Sequence, residues 1–208
     1  MNRRNLLKVL SLSTIGNTLA TPTVLKLLTS CNTIGEKTTA FLFFQKEQAF
    51  MVSQLSDIIL PSTKTPGALD IDTPYFLDLV LKEVSLKKDQ EVFIKGALEF
   101  QNKFYKIFKK DILTGTKEEF SYLLALYFNI SSEKQKEVFS YIKSEDAKQE
   151  SKERLYFIYK FLIFIREYTL FAFYTSKKIG TEVLTYTPVP GKFEVCIPIK
   201  EAGNISSL

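Results

Sequence analysis

Residues 152 to 177 constrain the fold of this chain more than any other stretch. Leu155, Tyr156, Phe157, Ile158, Tyr159, Phe161, Leu162, Ile163, Phe164, Ile165, Tyr168, Leu170, Phe171, Phe173 and Tyr174 crowd into one helical run. Their side chains point almost all the way round the helix axis. A helix of that kind is either enclosed by other helices or placed in a bilayer. A membrane span needs about twenty mostly apolar residues. Here Lys160, Arg166 and Glu167 interrupt the run, and charges inside a bilayer are costly. The sequence therefore predicts an all-α fold, a helical bundle around a long aromatic-rich central helix.

The wrapping helices are legible in the rest of the chain. From about Gln45 a helical period sets in, with Met51, Val52, Leu55, Ile58 and Ile59 on one face and Pro61 as its stop. A turn-rich loop, Ser62 to Asp70, leads to Thr73, read as an N-cap, with Pro74 at the first helical position. Phe76, Leu77, Val80, Leu81 and Val84 carry that second helix. Phe93, Ala97, Phe100, Phe104, Ile107 and Phe108 form a strong helical stripe. Thr116 and Glu119 are spaced as a capping box ahead of Phe120, Leu123, Leu124 and Tyr127. Ser131 or Ser132 starts a short helix through Val138, Tyr141 and Ile142. The charged stretch from Glu145 to Glu153 reads as a loop running into the long helix.

Beyond the long helix the pattern changes. Gly180, Pro188, Pro190, Gly191 and Pro198 punctuate residues 179–208, which read as an irregular C-terminal arm. Val183 to Tyr186 and Phe193 to Ile199 are its candidate extended segments. No internal repeat and no low-complexity tract stands out.

The N-terminus reads as an address rather than as fold. Met1-Asn2-Arg3-Arg4-Asn5-Leu6-Leu7-Lys8 opens a basic, weakly apolar segment with no acidic residue before Glu36. Arg3 and Arg4 resemble the pair of a twin-arginine export signal, although Asn2 and Leu6 depart from its commonest pattern. Leu28-Thr29-Ser30-Cys31 resembles a bacterial lipoprotein box, in which Cys31 takes a lipid that anchors the mature chain. The expected organisation is a signal peptide over 1–30, a tether over 31–45, and a single helical domain over 46–208 that includes the arm. The expected location is the periplasm, on a membrane through Cys31.

That organisation reinterprets the charge. The chain carries 28 basic and 23 acidic residues, a net +5. Arg3, Arg4, Lys8 and Lys26 all fall in the signal, so the remainder is close to neutral. Bulk charge then makes no case for nucleic acid. Histidine is absent, which removes Ser-His and Cys-His nucleophilic pairs, haem attachment through Cys-x-x-Cys-His and most zinc sites. No phosphate-cradling glycine loop and no nucleophile elbow is present. No catalytic, cofactor-binding or metal-binding residue is therefore assigned. The acid pairs Glu118-Glu119 and Asp70/Asp72 fit a helix N-terminus and a turn. Asp57 lies in an otherwise apolar helix, where a carboxylate is expected to accept from backbone N–H groups of the following loop. Cys196 reads first as a buried thiol, with a partner disulfide or no role as alternatives.

Several segments taken together resemble the gluconate 2-dehydrogenase subunit 3 family. They are the twin-arginine start, Leu55-Ser56-Asp57-Ile58-Ile59-Leu60-Pro61, Thr65-Pro66-Gly67-Ala68 and Thr73-Pro74-Tyr75-Phe76-Leu77-Asp78. The resemblance continues through Leu170-Phe171-Ala172-Phe173-Tyr174-Thr175-Ser176, Ile179-Gly180, Leu184-Thr185-Tyr186, Pro188-Val189-Pro190-Gly191 and Cys196. It implies a non-catalytic small subunit of an exported dehydrogenase acting on gluconate or another sugar. FAD then sits in a large partner subunit, and haem c in a cytochrome subunit where one is present. The small subunit supplies the export signal and stabilises or anchors its flavoprotein. Candidate interface residues are Tyr174, Thr175, Gly180, Tyr186, Pro188, Pro190, Gly191 and Phe193, on and beside the arm. The residues alone also fit a free-standing enzyme or a lipid-anchored scaffold protein without a dehydrogenase partner.

Overall fold

The computed structural model describes residues 40–144 and 150–184, together with Gly191, Cys196 and Pro198. Almost all of these fall in one compact unit, Phe41–Leu208. Arg3, Arg4 and Cys31, and the extended segment expected over Phe193 to Ile199 apart from Cys196 and Pro198, lie outside the described residues. The described residues are helical and contain no strand, as the apolar periodicity predicts.

The helices run α1 (Lys46–Ile59), α2 (Thr73–Leu79, continued by a wider turn over Val80–Val84), α3 (Lys87–Phe108), α4 (Lys117–Phe128), α5 (Ser132–Ser144), α6 (Glu150–Thr175) and α7 (Lys177–Glu182). The long helix α6 is central. It packs most extensively on α3 and also meets α1, α2, α5 and α7. The core is a stack of rings and aliphatic side chains. Phe93, Phe100 and Phe104 of α3 meet Phe161 of α6 and Phe120 of α4, with centroid separations of 5.0 to 6.2 Å. Aromatic pairs at such distances add to the area they bury.

Gly96 decides how closely α3 and α6 approach. A Cβ built there would lie 2.6 Å from Phe161 Cβ and would also collide with the carbonyl oxygen of Phe157. Both obstacles belong to α6, and one is backbone. Gly96→Ala gains about 1 kcal/mol of helix propensity, yet forces the two longest helices apart, an overpacking cost of roughly 1–3 kcal/mol or more. The variant is expected to be net destabilised, read as a lower denaturation midpoint with unchanged helical content.

Polar contacts fix the ends and the register. The capping box at Thr116 and Glu119 forms, with the Thr116 N–H donating to Glu119 Oε2 at 2.8 Å. Gln48 closes the start of α1 in the same way, accepting from the Gln45 N–H at 2.9 Å. The buried Thr169 hydroxyl lies 3.2 Å from that of Ser56, tying α6 to α1. Tyr159 donates to the Tyr127 carbonyl at 3.1 Å, and burial pushes the Tyr127 phenol up to about 12.

Several local expectations are corrected. Asp72, not Thr73, caps α2. It sits in the left-handed region at φ 56°, which Asp tolerates better than a β-branched residue. The Thr73 hydroxyl is buried instead, without a hydrogen-bond partner. Asp57 does not bind loop backbone; it pairs with Lys117 of α4. Gly180 does not end regular structure, because α7 runs through it. That helix is held by Ser176, which accepts from the Ile179 N–H at 3.3 Å, and by the fully buried Ile179. Val183 and Leu184 form a turn rather than the start of a strand. The long helix begins at Glu150, inside the stretch read as a loop. Cys196 is exposed rather than buried, like its arm neighbours Gly191 and Pro198.

The last apolar residues before α1 are part of the packed body. Phe41 stacks on Tyr75 of α2 at 4.5 Å, and Phe44 is buried against Phe93. One buried carboxylate holds this entry. Asp78 accepts from the N–H groups of Leu42 at 2.7 Å, Phe43 at 3.0 Å and Phe44 at 2.7 Å.

Candidate partner interface

The apolar surplus of α6 is only partly enclosed. Ile158, Tyr159, Phe161, Leu162, Ile165, Thr169 and Ala172 are buried, a single face at helical spacing. The opposite side keeps Arg166, Glu167, Phe171 and Tyr174 exposed. The other helices surround α6 as expected, and enclosure is tightest on this buried face; α2 and α5 flank the exposed residues of the other, outer side.

Three open grooves follow that outer side. The first, about 660 Å³, lies between α4, α5 and α6 and includes Phe128, Phe139 and Arg166. The second, about 410 Å³, lies between α3, α5 and α6 and includes Val92, Phe164 and Lys160. The third, about 560 Å³, lies between α2 and α6 and is formed by Phe76, Val80, Val84, Tyr168 and Phe171 around a single charge, Glu167. They adjoin one another, because Glu167 lines all three. Val84 is 73% exposed and Phe171 55% exposed at the third groove. The apolar exposure at the third groove is therefore contiguous across α2 and α6.

The expected interface residues fall partly on this side. Tyr174 and Thr175 are exposed at the end of α6, and Gly180 is half-buried in α7. Gly191 is exposed, with open space where a Cβ would stand. Tyr186, Pro188, Pro190 and Phe193 lie outside the described residues. Sequence reading singled out Arg166 and Glu167 only as interruptions of an apolar run. It did not assign them to a surface, because the covered face of a helix apolar on all sides is set by tertiary packing.

The acidic residues have structural employment. Asp70 accepts from the Gly67 N–H at 2.7 Å, and this bond, with help from Ser62, holds its carboxyl below the usual range. Gly67 is needed where it stands, since a Cβ there would lie 2.7 Å from the Pro61 carbonyl carbon and 2.8 Å from the Leu60 oxygen. Glu119 pairs with Lys110 at 2.7 Å, and that contact first, then the Thr116 N–H, lowers its pKa. Glu118 is lowered by its own backbone N–H and by the Thr116 hydroxyl. Among the described residues no cluster of three or more carboxylate or thiol groups is arranged to hold a metal ion. Nor, among them, is any helix long and apolar enough to cross a membrane.

The family model for gluconate 2-dehydrogenase subunit 3 matches residues 46–191. The chain belongs to this family. The match begins at the first residue of α1 and ends at Gly191, so it covers all the described helices and the first part of the arm. Subunit 3 is an accessory subunit of a dehydrogenase complex, and a surface for other subunits is therefore to be expected on its members. Comparison with curated proteins and with solved structures returns no match.

Proposed function

We propose that this chain is the non-catalytic small subunit of an exported, FAD-dependent dehydrogenase acting on gluconate or another sugar. It supplies the export signal through Arg3 and Arg4, and it stabilises its flavoprotein partner and anchors it through a lipid on Cys31. The family match over residues 46–191 carries this reading. The basic, acid-free start of the chain supports the export role. FAD belongs to the large subunit and performs the oxidation there, and haem c belongs to a cytochrome subunit where the complex has one. This chain contributes binding and position. Residues Tyr174 to Phe193, including Tyr186, Pro188 and Pro190, contribute rigid contact area to the partner.

The test is a pull-down. Affinity-tagged chain is recovered from detergent-solubilised membranes of its own host, and the eluate is scanned for flavin absorbance and for electron transfer from gluconate and related sugars to an artificial acceptor. A large flavin-containing chain at near-equal amount is expected. An eluate without flavin overturns the reading. Purified chain that oxidises sugar without a second protein overturns its non-catalytic part.

A further inference from the structure

We propose that the outer side of α6, centred on Glu167 and Phe171, is the surface on which the catalytic flavoprotein docks. On this proposal the partner seats an apolar segment that carries a basic side chain. The proposal rests on the accessory-subunit reading and gives it a place on the molecule.

Charge complementarity sets the chemistry of the occupant. The groove between α2 and α6 is apolar apart from Glu167. Among the described residues no ion pair or hydrogen bond engages the Glu167 carboxylate or the Arg166 guanidinium. Covering this groove with a purely apolar surface would strand a carboxylate away from water, which is strongly unfavourable. The occupant must therefore bring a cation to Glu167 and apolar side chains to Phe76, Val84 and Phe171. A carboxylate on the occupant, one helical step away, would meet Arg166. Aromatic anchors surrounding a few charged contacts are the composition of strong protein interfaces.

The described arm residues do not fill the grooves. Gly191, Cys196 and Pro198 are all exposed, and Gly191 has nothing within 4 Å of a built Cβ. The surface is also continuous along α6 with the exposed Tyr174 and Thr175. One partner can thus contact the grooves and the end of α6 together. A second copy of this chain is disfavoured because the family works as one subunit of a mixed complex.

The test uses full-length tagged chain, carried by a host that lacks the untagged copy. Wild type, Phe171→Asp, Glu167→Arg, Glu167→Gln and Tyr105→Asp are compared. Flavin recovered per tagged chain is the readout, with the flavoprotein identified by mass spectrometry. Phe171→Asp and Glu167→Arg are each expected to lower recovery about tenfold or more, and Glu167→Gln less. Tyr105, exposed on α3 and lining none of these grooves, should tolerate Asp. Glu167 is exposed and Phe171 half exposed beside Phe76 and Tyr168, so circular dichroism of the purified variants should match wild type with only a small fall in melting for Phe171→Asp, which separates lost docking from lost folding.

Full flavin recovery with both Phe171→Asp and Glu167→Arg overturns the docking surface while leaving the accessory-subunit reading intact. No flavin with wild type overturns both. A dimer of purified wild type that Phe171→Asp dissolves overturns it in favour of a second copy. An increase in hydrophobic-dye binding on removal of residues 185–208, abolished by Phe171→Asp, overturns it in favour of the arm.

Discussion

Asp78→Ala is expected to destabilise the protein by about 3 kcal/mol or more, as much as truncating a buried core side chain. One buried carboxylate accepts from three consecutive N–H groups, those of Leu42, Phe43 and Phe44. Ala removes every acceptor at once. Phe44 is buried, so its N–H cannot turn to water without moving the ring off Phe93. A stranded buried donor costs roughly 1–3 kcal/mol, and hydrogen bonds to a charged acceptor are the stronger kind. The Leu42 and Phe43 groups are only partly buried and recover some of their loss from solvent. For a domain of this size the total corresponds to a fall in Tm of roughly 10 °C. Asp78→Asn keeps one oxygen and should lose about half as much. Denaturant unfolding reads the energy. Limited proteolysis reads the place, since cleavage near residues 41–45 should accelerate before the rest of the domain opens. Equal stability of Asp78→Ala and wild type would show that the three bonds to Asp78 contribute nothing to the fold.

The second large effect is expected on the proposed export role. Replacing Arg3 and Arg4 together by Lys keeps the charge but removes the guanidinium pair that a twin-arginine signal presents. Periplasmic recovery of this chain should fall roughly tenfold or more, as expected for loss of a receptor-read address. If the chain carries a folded flavoprotein with it, the partner's flavin should be stranded in the cytoplasm to the same extent. The logic is physical: FAD is inserted where it is made, and a route that moves folded cargo lets one signal serve two chains. Cell fractionation with flavin assays in both compartments checks it. Continued export of the partner at wild-type level would end the carrier role, and it would do so without touching the docking surface on α6.

The parts of the fold that were legible in the sequence are those decided by neighbours in the chain. The Thr116–Glu119 box, the stop at Pro61 and the α3 stripe from Phe93 to Phe108 depend on contacts within a few residues. The box, the stop and the stripe through Phe104 are found as expected, whereas Ile107 near the end of the stripe is exposed. Boundaries shifted where a single backbone angle intervened. Asp72 took the cap of α2 by adopting a left-handed conformation that no periodicity encodes. Gly180 was read as a breaker, yet the cost of Gly in a helix is only about 1 kcal/mol, and the Ser176 cap with the buried Ile179 offsets it.

Long-range features were not legible. Asp78 lies 34 to 36 residues from the groups it binds, and in sequence it is one acid among 23. Asp57 was expected to do such work and instead reaches 60 residues to Lys117. The candidate site shows the same limit. A helix apolar on every side announces that it needs neighbours, but not which flank they leave open. The exposure of Phe171 beside Glu167 therefore emerged only from the packed structure.

The clasp at Asp78 has a mechanical consequence. Any tension arriving along the chain from before Phe41 meets the Phe41–Tyr75 stack and the three bonds on Asp78 before it reaches the first turn of α1. The load then passes into α2 instead of peeling α1 from its end. The N-terminal entry is thus secured to α2 at Tyr75 and Asp78 as well as to α1 through the chain itself.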